Sequence, residues 1–125
     1  MRAIVIDDSR AMRGMLRRAL VQLGFEVFEA CDGLEGMQRL AEIGPPTLAM
    51  VDWNMPNMNG LDFIKAARRD PALQAMRIIM VTTEVEMHQM EAALAAGAEE
   101  YVMKPFTPDG LREKLELLGF TREAA

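Results

Sequence analysis

Two adjacent carboxylates, Asp7 and Asp8, follow the apolar run AIVI (3–6). At about 5 Å and an effective dielectric near 20, two such charges repel by roughly 3 kcal/mol. A third acid, Asp52, follows the run LAMV (48–51), Thr82 follows IIMV (78–81), and Lys104 follows YVM (101–103). Taken one at a time these residues have ordinary roles. An acid after a strand forms a turn or caps the next helix, and a terminal lysine is solvated. Together they are a cluster of hard oxygens with a hydroxyl and a cation beside it. Such a set suits Mg²⁺, which keeps several waters and accepts a phosphate oxygen as a ligand.

For the cluster to form, the runs must lie side by side. Each of the four is too short for a helix and apolar enough to be a strand covered on both faces. A fifth run, FEVFEA (25–30), mixes acids with apolar residues, as an edge strand with one wet face does. Helical spacing separates the runs. Met12, Met15, Leu16, Ala19, Leu20 and Leu23 precede Gly24, and Leu34, Met37, Leu40 and Ala41 precede Gly44. Leu61, Ile64 and Ala67 mark a third helix, and a fourth runs from about Glu84 to Ala96 before Gly97. The last has Thr107 as N-cap, Pro108 in its first turn, and Leu111, Leu115 and Leu118 on one face before Gly119. Five βα repeats with short links predict an α/β fold with a doubly wound parallel sheet. All the candidate site residues then stand at carboxyl ends of strands, where open sheets form their binding crevice.

The 125 residues fit a single domain over 1–125, with residues 119–125 as a frayed tail and no output domain. A net charge of −5 with no basic run argues against nucleic acid and anionic membrane as partners. No apolar run approaches the roughly 18 residues of a membrane helix, and the lone Cys31 allows no internal disulfide. A cytoplasmic protein is expected. The 12 methionines fill a core poor in aromatics, or some of them form an adaptable binding surface.

The pieces DD (7–8), DWNMPNMNG (52–60), TTE (82–84) and YVMKPF (101–106) together resemble the receiver domain of two-component response regulators, over essentially the whole chain. The resemblance implies a flavodoxin-like (βα)5 fold with strand order 2-1-3-4-5. It implies Asp52 as phosphoacceptor, Asp7 and Asp8 as magnesium acids, and the backbone carbonyl of Asn54 as a further ligand. Thr82 corresponds to the hydroxyl that binds the phosphoryl group, Lys104 to its paired cation, and Tyr101 to an aromatic that turns inward on activation. Asn54 and Glu84 hold positions associated with tuning dephosphorylation, and Lys104–Pro105 is a candidate cis bond. The implied partners are a sensor histidine kinase and a downstream protein target, with a flagellar motor switch, a kinase complex and a downstream relay protein all open, and the protein itself a monomer. DWNMPNM is especially similar to stand-alone chemotaxis receivers. Asn59 departs from the aspartate often found before the loop glycine, and Thr83 is bulkier than the residue usual there.

The fourth helix has two apolar sides. If Val85, Ala92, Ala93 and Ala96 face the sheet, then Met87, Met90 and Leu94 form an outward docking stripe; the opposite orientation places the methionines in the core. His88 reads as a surface residue, Cys31 as a small packing residue, and the acids at 99–100 as a solvated face. Rival readings are a Mg²⁺-dependent phosphatase with an aspartyl-phosphate intermediate, and a phosphorelay or adaptor receiver outside chemotaxis. Against the phosphatase, Asn54 stands where its second acid belongs.

Overall fold

Every residue of Leu48–Asp52 is buried, which requires a strand covered on both faces, and the sheet is built outward from it. The computed structural model describes residues 1–83 and 88–120. In chain order the elements are β1 (Arg2–Ile6), α1 (Arg10–Gln22), β2 (Glu26–Ala30), α2 (Gly33–Ile43), β3 (Leu48–Asp52), α3 (Gly60–Arg69), a short 3-10 turn (Pro71–Leu73), β4 (Arg77–Thr83), α4 (Met90–Ala96), β5 (Glu100–Lys104) and α5 (Pro108–Leu117). All pairings are parallel and the order is β2-β1-β3-β4-β5. No helix among the described residues is long and apolar enough to cross a membrane.

Strand alternation divides the core in two. Ala3, Val5, Leu48, Met50, Ile79, Val81 and Val102 face one way and meet Leu16, Ala19 and Leu20 of α1 and Leu111 and Leu115 of α5. Ile4, Ile6, Ala49, Val51, Ile78 and Met80 face the other way, against Leu40 of α2, Phe63, Ile64 and Ala67 of α3, and Met90 and Ala93 of α4. β2 is an edge with a wet face, as its sequence predicts: Glu29 pairs with Arg13 at 3.1 Å and Arg17 at 2.9 Å. The side chains of Ser9, Asp32, Asn59 and Thr107 each accept a backbone N–H in the first turn of the following helix.

Four expectations are corrected. Met90 is buried at 4% exposure, so it belongs to the core and not to an outward stripe, whereas Ala92 is exposed. Met90 and Ala93, three apart, lie on one helix face, and that face meets the sheet. Leu94, at 43%, does face outward. Glu84, Val85 and Met87 lie outside the described residues, and α4 begins at Met90. Second, Gly119–Phe120 is not frayed. The Phe120 N–H donates to Leu115 O at 2.9 Å, and its ring packs at 5.9 Å from that of Phe25, with the Arg77 guanidinium 4.5 Å above it. Residues 121–125 lie outside the described residues. Third, Cys31 is exposed. Fourth, Glu99 is not merely solvated. It pairs with Arg68 and accepts the Ile78 N–H at 3.1 Å, while Arg68 also donates to Gly97 O at 3.0 Å and Leu73 O at 3.0 Å. Gly97 has φ +124, and a Cβ there would lie 2.7 Å from Arg68 Cγ, so a glycine is needed both for the turn and for the brace.

Candidate acidic phosphoacceptor site

The same alternation that sorts the core also gathers the site. Asp52 continues the parity of Leu48 and Met50, and Lys104 that of Val102, on the α1/α5 face. Asp7, just past β1, keeps strand pairing by donating its N–H to Ala30 O at 3.1 Å, and it continues the parity of Ala3 and Val5. β1 and β3 are neighbours, and β2 lies on the far side of β1. The chain order therefore reverses between Asp7 and Asp52, which opens the crevice. One carboxylate oxygen from each of Asp7, Asp8 and Asp52 lies within 4.8 Å of the others. Lys104 Nζ is 2.9 Å from Asp52 Oδ1 and 3.8 Å from Asp7 Oδ2. Asp7 and Asp52 are buried and Asp8 is exposed.

Burial pushes the Asp7 carboxyl up to about 6 from 3.8, and the neighbouring charges of Asp52 and Asp8 push the same way. The Ser9 N–H, donating to Asp7 Oδ1 at 2.8 Å, and the Lys104 ammonium oppose the rise. Asp7 Oδ2 is buried and receives no hydrogen bond among the described residues. Such an oxygen is costly unless a further positive group satisfies it. Three carboxylates against the Lys104 ammonium leave two negative charges when all are ionised. The donor set thus fits a hard divalent cation bound through oxygen.

Gly60 brings the N-terminus of α3 under Asp52. Its N–H donates to Trp53 O at 3.0 Å, and a Cβ there would lie 2.6 Å from Asp52 O and 2.7 Å from Met80 Cε. Asn59 supplies the cap of α3, accepting the Asp62 N–H at 2.9 Å, so the departure at that position leaves the loop closed in the ordinary way. Asn54 is exposed in the loop. Thr82 is fully buried one residue beyond Val81, the partner of Asp52, and its hydroxyl donates to Thr83 O at 3.4 Å. Tyr101, opposite Met80 in register, packs half-buried against the α2–α4 core, with Lys114 Nζ 6.0 Å from its ring. Thr82 continues the parity of Met80, so hydroxyl and aromatic share one side of the sheet and Lys104 lies on the other. The Lys104–Pro105 bond is cis. His88 is exposed, and Glu84 lies outside the described residues.

Three contributors are missed by sequence reasoning. Arg13 donates to Asp7 O at 2.7 Å while paired with Glu29, which ties α1 to the acidic turn. Asp32 and Asn57 are joined at 2.7 Å across 25 residues of chain. Asp32 three residues before Glu35 is a legible helix start. Nothing local announces its contact with Asn57.

An open parallel sheet in this order, with helices on both faces and an acidic crevice opposed by a lysine, defines a flavodoxin-like receiver fold. Residues 3–116 match the family described as "Response regulator receiver domain". The chain belongs to that family, as a CheY-like receiver of two-component signalling, whose members act as switches. It is 43% identical over 119 residues to "Chemotaxis protein CheY1" of Helicobacter pylori, covering 94% of this chain and 96% of that protein. It is 43% identical over 117 residues to "Chemotaxis protein CheY homolog" of Campylobacter jejuni, covering 93% and 90%. The solved structure of chemotaxis response regulator CheY4 of Vibrio cholerae superposes with a TM-score of 0.85 at 32% identity, covering 94% of this chain and 97% of that one.

Proposed function

We propose that Asp52 accepts a phosphoryl group from a phosphohistidine of a sensor kinase, and that the modified protein signals in chemotaxis by binding a downstream target in the cytoplasm. The contact of Lys104 with Asp52 at 2.9 Å, inside a carboxylate cluster that still lacks positive charge, carries this reading. A carboxylate is a poor nucleophile toward an anionic phosphoryl group because both partners are negative. Asp7, Asp8, Asp52 and the Asn54 backbone carbonyl would hold Mg²⁺, which when bound neutralises charge on the transferring oxygens.

Asp52 forms the new O–P bond as the P–N bond to the donor histidine breaks, and the departing imidazole nitrogen takes up a proton. Lys104 is already in place to follow the negative charge from the carboxylate onto the phosphoryl oxygens. The phosphoryl group brings acceptor oxygens and about two negative charges to the strand ends. Thr82 turns its hydroxyl toward them, Tyr101 fills the space this leaves, and the face of α4, β5 and α5 changes shape for its partner. Leu94 at 43% exposure and Met103 at 38% give that face its apolar surface. Asn54 and Glu84 set how readily water removes the phosphoryl group.

Incubation with acetyl phosphate and Mg²⁺ tests the proposal. One adduct per chain is expected, labile to acid and base, absent in EDTA and absent in Asp52→Asn, with Trp53 fluorescence reporting its formation. Labelling that survives in Asp52→Asn, or that ignores Mg²⁺, refutes it. Catalytic release of phosphate from many esters points instead to a phosphatase.

A further inference from the structure

The loop that carries Asn54 is fastened at both ends. At the near end, the Trp53 N–H donates to Val81 O at 3.2 Å and Trp53 O accepts the Gly60 N–H at 3.0 Å. At the far end the loop is tied to the start of α2. Asn57 Nδ2 donates to Asp32 Oδ2 at 2.7 Å, and Met58 O accepts the Gly33 N–H at 3.1 Å. A Cβ on Gly33 would lie 2.6 Å from Met58 O, so the two backbones meet at a distance a side chain forbids. Asn57 has φ +66, a conformation that asparagine tolerates better than most residues.

The anchor for this far end is itself well held. Asp32 is 7% exposed. Its Oδ1 caps α2 by accepting the Glu35 N–H at 2.8 Å, and Glu35 Oε1 reaches back to the Cys31 N–H at 2.9 Å. Bonds from the Glu35 backbone and the Asn57 amide hold the Asp32 carboxyl below the usual carboxylate range, so it stays an anionic, strong acceptor.

A backbone carbonyl offered to a metal has no rotamer to adjust. Its direction is set only by the path of the loop around it. We infer that Asp32 and Asn57 are positioning residues for the magnesium site, their hydrogen bond holding the loop so that the Asn54 carbonyl meets the ion held by the carboxylates. This rests on the magnesium reading above and adds its outer support, a type of contact whose loss commonly weakens metal binding about 10- to 100-fold.

The test is Mg²⁺ affinity, from Trp53 fluorescence and calorimetry, beside urea stability in EDTA. Asn57→Gly keeps the positive φ and removes the donor. It is expected to weaken Mg²⁺ binding about tenfold, with the EDTA midpoint little changed. Asn57→Asp sets two carboxylates against each other and is expected to weaken binding at least as much. Combining it with Asp32→Asn exchanges donor and acceptor and is expected to restore affinity to within about threefold of wild type, since Asn also serves as an N-cap. Wild-type affinity in Asn57→Gly overturns the inference. So does a loss that the exchanged pair fails to recover and that tracks lost stability in EDTA. If the wild type gives no Mg²⁺ response, and Asp7→Asn matches it, the magnesium reading falls and takes this inference with it.

Discussion

Replacing Asp7 by asparagine in the metal-free protein is expected to stabilise it, although it removes a buried polar group with a named partner. Asparagine has nearly the same shape, and its Oδ1 still accepts the Ser9 N–H. What disappears is a negative charge that burial and the neighbouring acids oppose. A carboxyl pushed up from 3.8 to about 6 favours its protonated form in the folded chain. Wild-type stability from this group is therefore complete below the lower value and is lost as pH rises through the upper one. The variant has no such loss. Its advantage works out at about 3 kcal/mol near pH 7.5, shrinking to about 1 kcal/mol near pH 4.5. With a urea slope of about 2 kcal/mol per molar, the midpoint in EDTA rises by about 1.5 M at the higher pH. Saturating Mg²⁺ acts on the wild type alone, and a hundredfold excess over its dissociation constant returns about 2.7 kcal/mol. The gap then nearly closes. Urea titrations by circular dichroism at both pH values, with EDTA and with Mg²⁺, measure all four quantities. A variant less stable than wild type in EDTA near neutral pH, or an advantage that grows on acidification, refutes the electrostatic account of the cluster.

Three further substitutions probe the elements around the site. Met90→Lys places an ammonium in the core beside Ala93 and is expected to cost about 3 kcal/mol or more, whereas Leu94→Lys shifts stability by no more than about 0.5 kcal/mol and weakens target binding. Equal urea midpoints for the two variants contradict the assigned orientation of α4. Gly60→Ala drives a methyl into Asp52 O and Met80 Cε, with an expected loss of about 1–3 kcal/mol and slower labelling of Asp52; an unchanged labelling rate shows that the Asp52 backbone is not set by this contact.

The sheet and the polar residues gathered at its edge were legible because both depend on local pattern. Four unbroken apolar runs, one mixed run and glycine stops specify parallel βα repeats with little help from distant contacts. Once the strands are parallel, Asp7, Asp52, Thr82 and Lys104 must share an edge, whatever the details of packing. The strand order was implied by resemblance, since the wet face of β2 shows only that it is an edge.

Orientation and pairing across the chain needed the tertiary structure. Alanine and methionine both read as apolar, so spacing alone left α4 with two possible inward faces; burial of Met90 in the core cluster shared with α3 and β4 selected between them. Phe120 reads as the start of a tail until Phe25 and Arg77, both distant in sequence, close over its ring. The raised Asp7 carboxyl and the Asp32–Asn57 bond are likewise products of assembly. Periodicity records whether a residue prefers water, and a hydrogen bond or a desolvated charge depends on which particular neighbour the finished fold delivers.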